Sequence, residues 1–200
     1  DTEIGKIPND WGVVKIKDYV QKTQQKDMRK VNVEFKYIDV SGIDRDKLKI
    51  VTYSIFKGAN SPSRARKIVQ NGDIIIATVR PTLKRIAVIN VEFDNEICST
   101  AFCVLRTKNE LLNNLFLFYC LQRDIFIQEL GKIQKGANYP AVADSEIKNL
   151  EGRWAIVVKD LKSGKSYYYN QDEKFLSASL YKLAVMWAAY AQIEKGSLTK

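Results

Sequence analysis

The stretch NGDIIIATVRPTLKRIAVINV, residues 71–91, constrains the fold more than any other part of the chain. Asn71-Gly72-Asp73 is a tight-turn signal. It leads into IIIATV (74–79), an apolar run without the polar alternation of a half-solvated strand, so a buried strand is expected there. RPTLKR (80–85) is a basic turn, and IAVINV (86–91) reads as the next strand. Two such strands need a core around them. The apolar fraction of 46% beside 28% charged residues can supply one within 200 residues. That length holds one ordinary domain, or one domain and a fragment.

Other segments follow the same logic. IPNDWG (7–12) is a turn around Trp11, VVKIKDYV (13–20) alternates like a strand, and FKYIDVSGI (35–43) is a strand ended by Ser41-Gly42. TAFCVLR (100–106) alternates again. Residues 109–131 form the longest helical pattern, with Asn109 as cap, Glu110 in the first turn and Gly131 as stop. The expected fold class is therefore α/β: a mixed, largely β framework with a buried helix near 109–131. The composition changes near Leu150. WAIVVKDLKSGKSYYYN (154–170) reads as a hairpin turning at Lys162-Ser163-Gly164-Lys165, and a helix is expected from about Ser179 to Lys195, stopped by Gly196. The expected domains are 1–150 and a small hairpin-plus-helix piece, 151–200.

Histidine is absent, which excludes Ser–His and Cys–His catalysis and His-ligated metal sites. No metal site is expected from Cys98, Cys103 and Cys120, an odd and scattered set that fits a reducing, cytoplasmic setting better than a disulfide framework. No run of eighteen apolar residues is present, so no membrane span is expected. DTEIGKIPND carries no signal-peptide pattern, and the missing initial Met suggests that the first residues of a longer chain are absent.

The net charge is +9, unevenly distributed. Between residues 51 and 90, Lys57, Arg64, Arg66, Lys67, Arg80, Lys84 and Arg85 face Asp73 alone. Such a concentration suggests a polyanion, nucleic acid first; a solubilising surface or an acidic protein partner would also account for it. The cations fall on three Gly- or Pro-marked loops. The leading candidates for DNA contact are Asn60, Ser61, Ser63, Arg64, Arg66 and Lys67 on the first loop. Arg80, Thr82, Lys84 and Arg85 on the second come next, and Lys135, Asn138 and Tyr139 on the third follow.

Two resemblances add to this reading. TEIGKIPNDWGVVKIKDYV, YIDVSGID (37–44), NGDIIIATVRPTLKRIAVI (71–89), STAFCVLR (99–106) and KGANYPAVADSEIKNL (135–150) occur in this order. Together they resemble the target-recognition domain of a type I restriction-modification specificity subunit, over about three quarters of the chain. The resemblance implies sequence-specific binding of double-stranded DNA without catalysis and with no cofactor of its own. The partners it implies are the methyltransferase and restriction subunits. After IKNL the family continues into a long spacer helix. This chain continues EGRWAIVV instead, which puts docking of those subunits in doubt.

S-x-x-K occurs four times, at Ser54/Lys57, Ser145/Lys148, Ser179/Lys182 and Ser197/Lys200. Only Ser179 follows a hairpin and opens an apolar helical run. Residues 151–200 resemble the opening of a class A β-lactamase-like serine hydrolase, which makes Ser179 the nucleophile position and Lys182 its base position. No S-D-N or K-T-G element accompanies them, so no useful hydrolysis is expected. The alternative reading of the whole is a hydrolase or penicillin-binding fragment with a reactive Ser179.

Overall fold

The computed structural model describes residues 15–108 and 112–150, and beyond them the strands at 156–159 and 166–169. The chain divides into two units, Asp1–Trp154 and Ala155–Lys200. The strands of the first unit are β1 (Glu34–Ile38), β2 (Ile43–Asp44), β3 (Lys49–Ile50), β4 (Ser54–Lys57), β5 (Ala65–Ile68), β6 (Ile74–Ala77), β7 (Ile86–Val88), β8 (Ile97–Ser99) and β9 (Phe102–Leu105). Its α-helices are α1 (Ile16–Tyr19), α2 (Asn114–Leu121), α3 (Asp124–Ile133) and α4 (Asp144–Asn149). The fold is mixed α/β.

The apolar run at 74–77 becomes β6, the middle strand of a three-stranded antiparallel sheet ordered β7-β6-β9. Its four residues are all buried, and period-two alternation sends them to two different cores. Ile74 and Ile76 face the helices, joining Cys103 and Leu105 of β9, Leu117 and Leu121 of α2, Phe126 and Leu130 of α3 and Ile147 of α4. Ile75 and Ala77 face the other way, with Phe102, Val104, Ile38, Ile43, Val69 and Phe93. This two-sided covering is why the strand contains no polar position. Each fully buried Ile side chain contributes roughly 1.5–3 kcal/mol. The second sheet, ordered β4-β1-β8-β5, is antiparallel except for the parallel β1·β8 pair. β2 and β3 form a separate two-stranded ribbon.

The N-G-D turn behaves as its residues require. Gly72 takes φ +87°, where an L side chain is strained. Asp73 is buried, accepts the Gln70 amide at 2.8 Å, and is gripped by Arg106 through two bonds of 2.8 Å. Removing one partner would strand a buried charge, a loss of about 3–5 kcal/mol. Burial pushes the thiols of Cys103 and Cys120 up to about 12, so both are inert thiols of the core.

Several expectations are corrected. Residues 16–19 form α1, not a strand, and Val20 after it makes a β-bridge to Thr107. The strand expected at 35–43 stops at Ile38, where the Asp39 carboxylate takes the Val40 amide and starts one 3-10 turn, Val40–Gly42. The strand expected at 86–91 stops at Val88. The 100–106 segment forms β9, but its four residues are all buried rather than alternating. The helix expected over 109–131 is two helices, broken at Gln122-Arg123, where Arg123 turns extended at ψ 141°. One straight helix of that length would run to about 35 Å, whereas four-residue strands present only about 13 Å of sheet to cover. Folding back lets both helices use the same core. The cap is Asn113, whose side chain accepts the Phe116 amide, and Gly131 lies inside α3. Asn109 and Glu110 fall outside the described residues.

In the second unit β10 (Ile156–Lys159) pairs antiparallel with β11 (Ser166–Tyr169). The expected turn at 162–165 and the helix carrying Ser179 and Lys182 lie outside the described residues. Among the described residues no helix is long and apolar enough to cross a membrane.

Candidate nucleic-acid interface

The three basic loops lie far apart in sequence, and backbone hydrogen bonds tie them together at one end of the framework. The turn between β8 and β9 is the link. Thr100 donates to the Arg64 carbonyl at 2.9 Å, and Thr78 donates to the Ala101 carbonyl at 2.8 Å. Thr78 in turn accepts from Val142 at 2.9 Å, and Arg80 donates to the Pro140 carbonyl at 2.6 Å. The 135–141 loop is closed by reciprocal bonds between Lys135 and Ala141, both 2.9 Å. The loops therefore share one mounting.

Within the first loop the side chains divide. Asn60, Ser63 and Arg64 are exposed. Arg66 is half-exposed and spans from the Ser63 carbonyl to Asp27 at 3.2 Å. Asp27 also holds Arg29, and the Arg29 guanidinium keeps its carboxyl far below the usual carboxylate range. Ser61 and Lys67 are buried, against expectation. The Ser61 hydroxyl donates to the Gly58 carbonyl. Lys67 is 4% exposed, and its ammonium donates to the Phe102 carbonyl and to Asp144 at 2.6 Å, joining β5 to the start of α4. A β-bulge is the reason: the register shifts between Ala65, which faces Ser99, and Lys67, which is turned to the side of buried Cys98. These two positions are corrected from surface groups to internal fasteners.

The second turn is held by its backbone. Arg80 and Lys84 flank Pro81–Leu83 and both are left-handed, at φ 48° and φ 53°. Each such non-glycine residue costs of order 1–2 kcal/mol, and Arg80 precedes a proline, which normally demands extended backbone. The surroundings hold this shape. Lys84 pairs with Asp124 at 2.5 Å, and Arg85 donates to the Val40 and Ile43 carbonyls at 3.1 and 2.6 Å. Buried Pro81 and the close approach of Thr82 to Gly131, where a Cβ would lie 3.4 Å from the Thr82 methyl, seat the turn on α3. Arg80 and Thr82 remain exposed. The Arg80 guanidinium stacks 4.8 Å from the centre of the Tyr139 ring and donates to the Asn138 carbonyl. Tyr139 and Asn138 are exposed, and Lys135 is exposed while paired with Glu146 at 3.1 Å.

One feature is invisible to a linear reading. A groove of roughly 280 Å³ is lined by Tyr37, Asp39, Ser41, Gly42, Thr52, Tyr53, Ser54, Phe56 and Pro62. Its residues come from three separate segments, 37–42, 52–56 and Pro62, which no local pattern joins. Among the described residues no group of three His, Cys, Asp or Glu is placed to hold a metal ion.

Basic loops locked to a rigid sheet framework, beside a groove that carries one carboxylate, Asp39, form a surface of the class that meets a polyanion. Comparison with known proteins makes this specific. A family model, the type I restriction modification DNA specificity domain, matches residues 8–151, and the chain belongs to that family. It is 27% identical over 160 residues to the type I restriction enzyme MjaVIII specificity subunit of Methanocaldococcus jannaschii, which covers 75% of this chain and 37% of that protein. The HsdS subunit from Thermoanaerobacter tengcongensis is similar in structure, with a TM-score of 0.66 and 38% identity over 72% of this chain and 38% of that one. A chain from a structure describing complex assembly and conformational transition of the type I R-M system matches at TM-score 0.68 and 38% identity, again over 72% and 38%. The chain thus spans under two fifths of the length of these relatives. A second family model, the Beta-lactamase enzyme family, matches residues 141–200.

Proposed function

We propose that residues 1–150 are a non-catalytic, sequence-specific reader of double-stranded DNA, the target-recognition part of a type I restriction-modification specificity subunit acting in the cytoplasm. The observation that carries the reading is the stitching of the three loops at Thr78, Thr100 and Ala101, which gathers Asn60, Ser63, Arg64, Arg80, Thr82, Asn138 and Tyr139 at one end of the framework. Arg64 and Arg80 are the cations with the most freedom to meet phosphate or guanine. Arg66, Lys84, Arg85 and Lys135 contribute field while each is held by an internal acceptor. Methyltransferase and restriction subunits are the protein partners that the family suggests, and the chemistry would be theirs.

The test is binding of the whole chain to duplex DNA at several salt concentrations. Specific duplex is expected to bind at least 10³-fold tighter than scrambled duplex, with log affinity falling linearly in log salt. Arg64→Ala and Arg80→Ala should each weaken binding by about 1 kcal/mol or more and reduce the salt slope by about 1 if the contact is to phosphate. Equal affinity for every duplex, or no change in the double variant, refutes the assignment.

The family match at 141–200 favours a second reading for the tail: residues 151–200 are the opening segment of a β-lactamase-like hydrolase, with Ser179 in the nucleophile position and Lys182 beside it. A penicillin adduct on intact mass, lost in Ser179→Ala, would support a reactive serine. An unmodified mass leaves the tail as a fragment without that chemistry.

A further inference from the structure

The groove beside the first basic loop contains a carboxylate, which a surface meeting only phosphate would exclude. Pro62 of the first loop forms part of one wall. Asp39, Ser41 and Gly42 form another part, and Arg85 of the second turn donates to the Val40 and Ile43 carbonyls of the same segment. Gly42 makes the floor tight, because a Cβ there would lie 2.3 Å from the Thr52 carbonyl oxygen. Into this recess the chain places the hydroxyl-bearing residues Ser41, Thr52, Tyr53 and Ser54, all exposed, and Asp39, also exposed. Asp39 Oδ1 accepts the Val40 amide at 2.8 Å and lies 3.5 Å from the Tyr37 hydroxyl. Among the described residues Oδ2 has no partner.

Resting on the DNA-reading function above, we propose that Asp39 is a specificity-determining residue that accepts a hydrogen bond from the 4-amino group of a cytosine in the major groove. A carboxylate can only accept. It therefore bonds the cytosine amino group and repels the O6 of guanine and the O4 of thymine, which present acceptors at that edge. Discrimination comes as much from that repulsion as from the attraction. Exposed Arg64, two residues beyond Pro62 and close enough to act electrostatically on Tyr37 of the groove, offsets the phosphate field that would otherwise oppose a carboxylate. The hydroxyls of Ser41, Thr52 and Ser54 can donate or accept and so fit the neighbouring base edges without excluding any.

The bland role for Asp39 is capping of the 40–42 turn. Asn caps as well as Asp, so Asp39→Asn separates the two roles. In a selection from random duplexes the native chain is expected to fix cytosine at one position. Asp39→Asn should shift that position toward adenine, whose N6 and N7 suit a carboxamide, by about tenfold or more. The remaining positions and the salt slope should stay unchanged. A second measurement uses the native chain: a duplex whose cytosine lacks the 4-amino group should bind it about tenfold more weakly, yet bind Asp39→Asn as the parent duplex does. An unchanged base preference in the variant, or native binding indifferent to the missing amino group, overturns the assignment while leaving DNA reading intact. Failure of the native chain to prefer any duplex overturns both.

Discussion

The 60–67 loop and the 80–85 turn look alike as sequence, each a short basic segment beside a buried strand, yet they are built on opposite principles. The first is held by side chains: Lys67 reaches inward to Asp144 and Phe102, and Arg66 reaches sideways to Asp27, around backbone without a left-handed residue between Ser61 and Lys67. The second is held by backbone: two left-handed residues are kept in place by Pro81, the Thr82–Gly131 approach and the amide of Arg80. In both, two of the three cations make internal contacts, Arg66 and Lys67 in the first and Lys84 and Arg85 in the second, and one arginine is left exposed. A count of cations thus overstates what is offered to a ligand. It is the position of Arg64 and Arg80, not the sum, that the rest of the structure specifies.

The contrast can be broken most forcefully at Lys67. Lys67→Ala leaves a buried carbonyl without a donor and Asp144 without its cation, and should lower unfolding free energy by about 2–3 kcal/mol, measured by urea denaturation. Base preference of the folded fraction should be unchanged, because the ammonium faces inward. A stable variant with altered preference would return Lys67 to the DNA surface.

Gly131 sharpens the other half. If it ended a helix in left-handed backbone, Gly131→Ala would destabilise. Inside α3, where the added methyl only touches Thr82 at 3.4 Å, the gain in helix propensity prevails. A stabilisation of about 0.5 kcal/mol is expected, read as a rise in Tm.

The smallest effect concerns Asp27, whose carboxylate is held chiefly by Arg29 and also reaches Arg66. Its folded-state pKa is lowered from 3.8, so its contribution is complete above that value and disappears only as the pH falls through the lower folded pKa. The Tm difference between the native chain and Asp27→Asn should be constant from pH 7 to about 5 and close in strong acid.

The sequence made some of this legible. The uninterrupted isoleucines at 74–76 announced a strand covered on both faces, because no polar residue interrupts either side of its alternation. The burial of Lys67 was not legible, because a β-bulge between Ala65 and Lys67 resets the alternation. The break at Gln122-Arg123 was not, since it answers to the length of a sheet formed by residues elsewhere. Nor was the groove around Asp39: residues 37–42, 52–56 and Pro62 meet only after β1, β4 and β8 have paired. Local pattern reports which residues are inside, and it is silent on which distant ones become neighbours.

The bonds running from Arg64 to Thr100, from Ala101 to Thr78, and on to Val142 and Pro140 turn three loops into a single tile. On the proposed DNA-reading function, exchanging one side chain on such a tile would edit a letter of what it reads. Inserting one residue into any loop would shift the frame of the other two, so a new specificity is reached by substitution within a fixed outline, or by transplanting the whole tile at once.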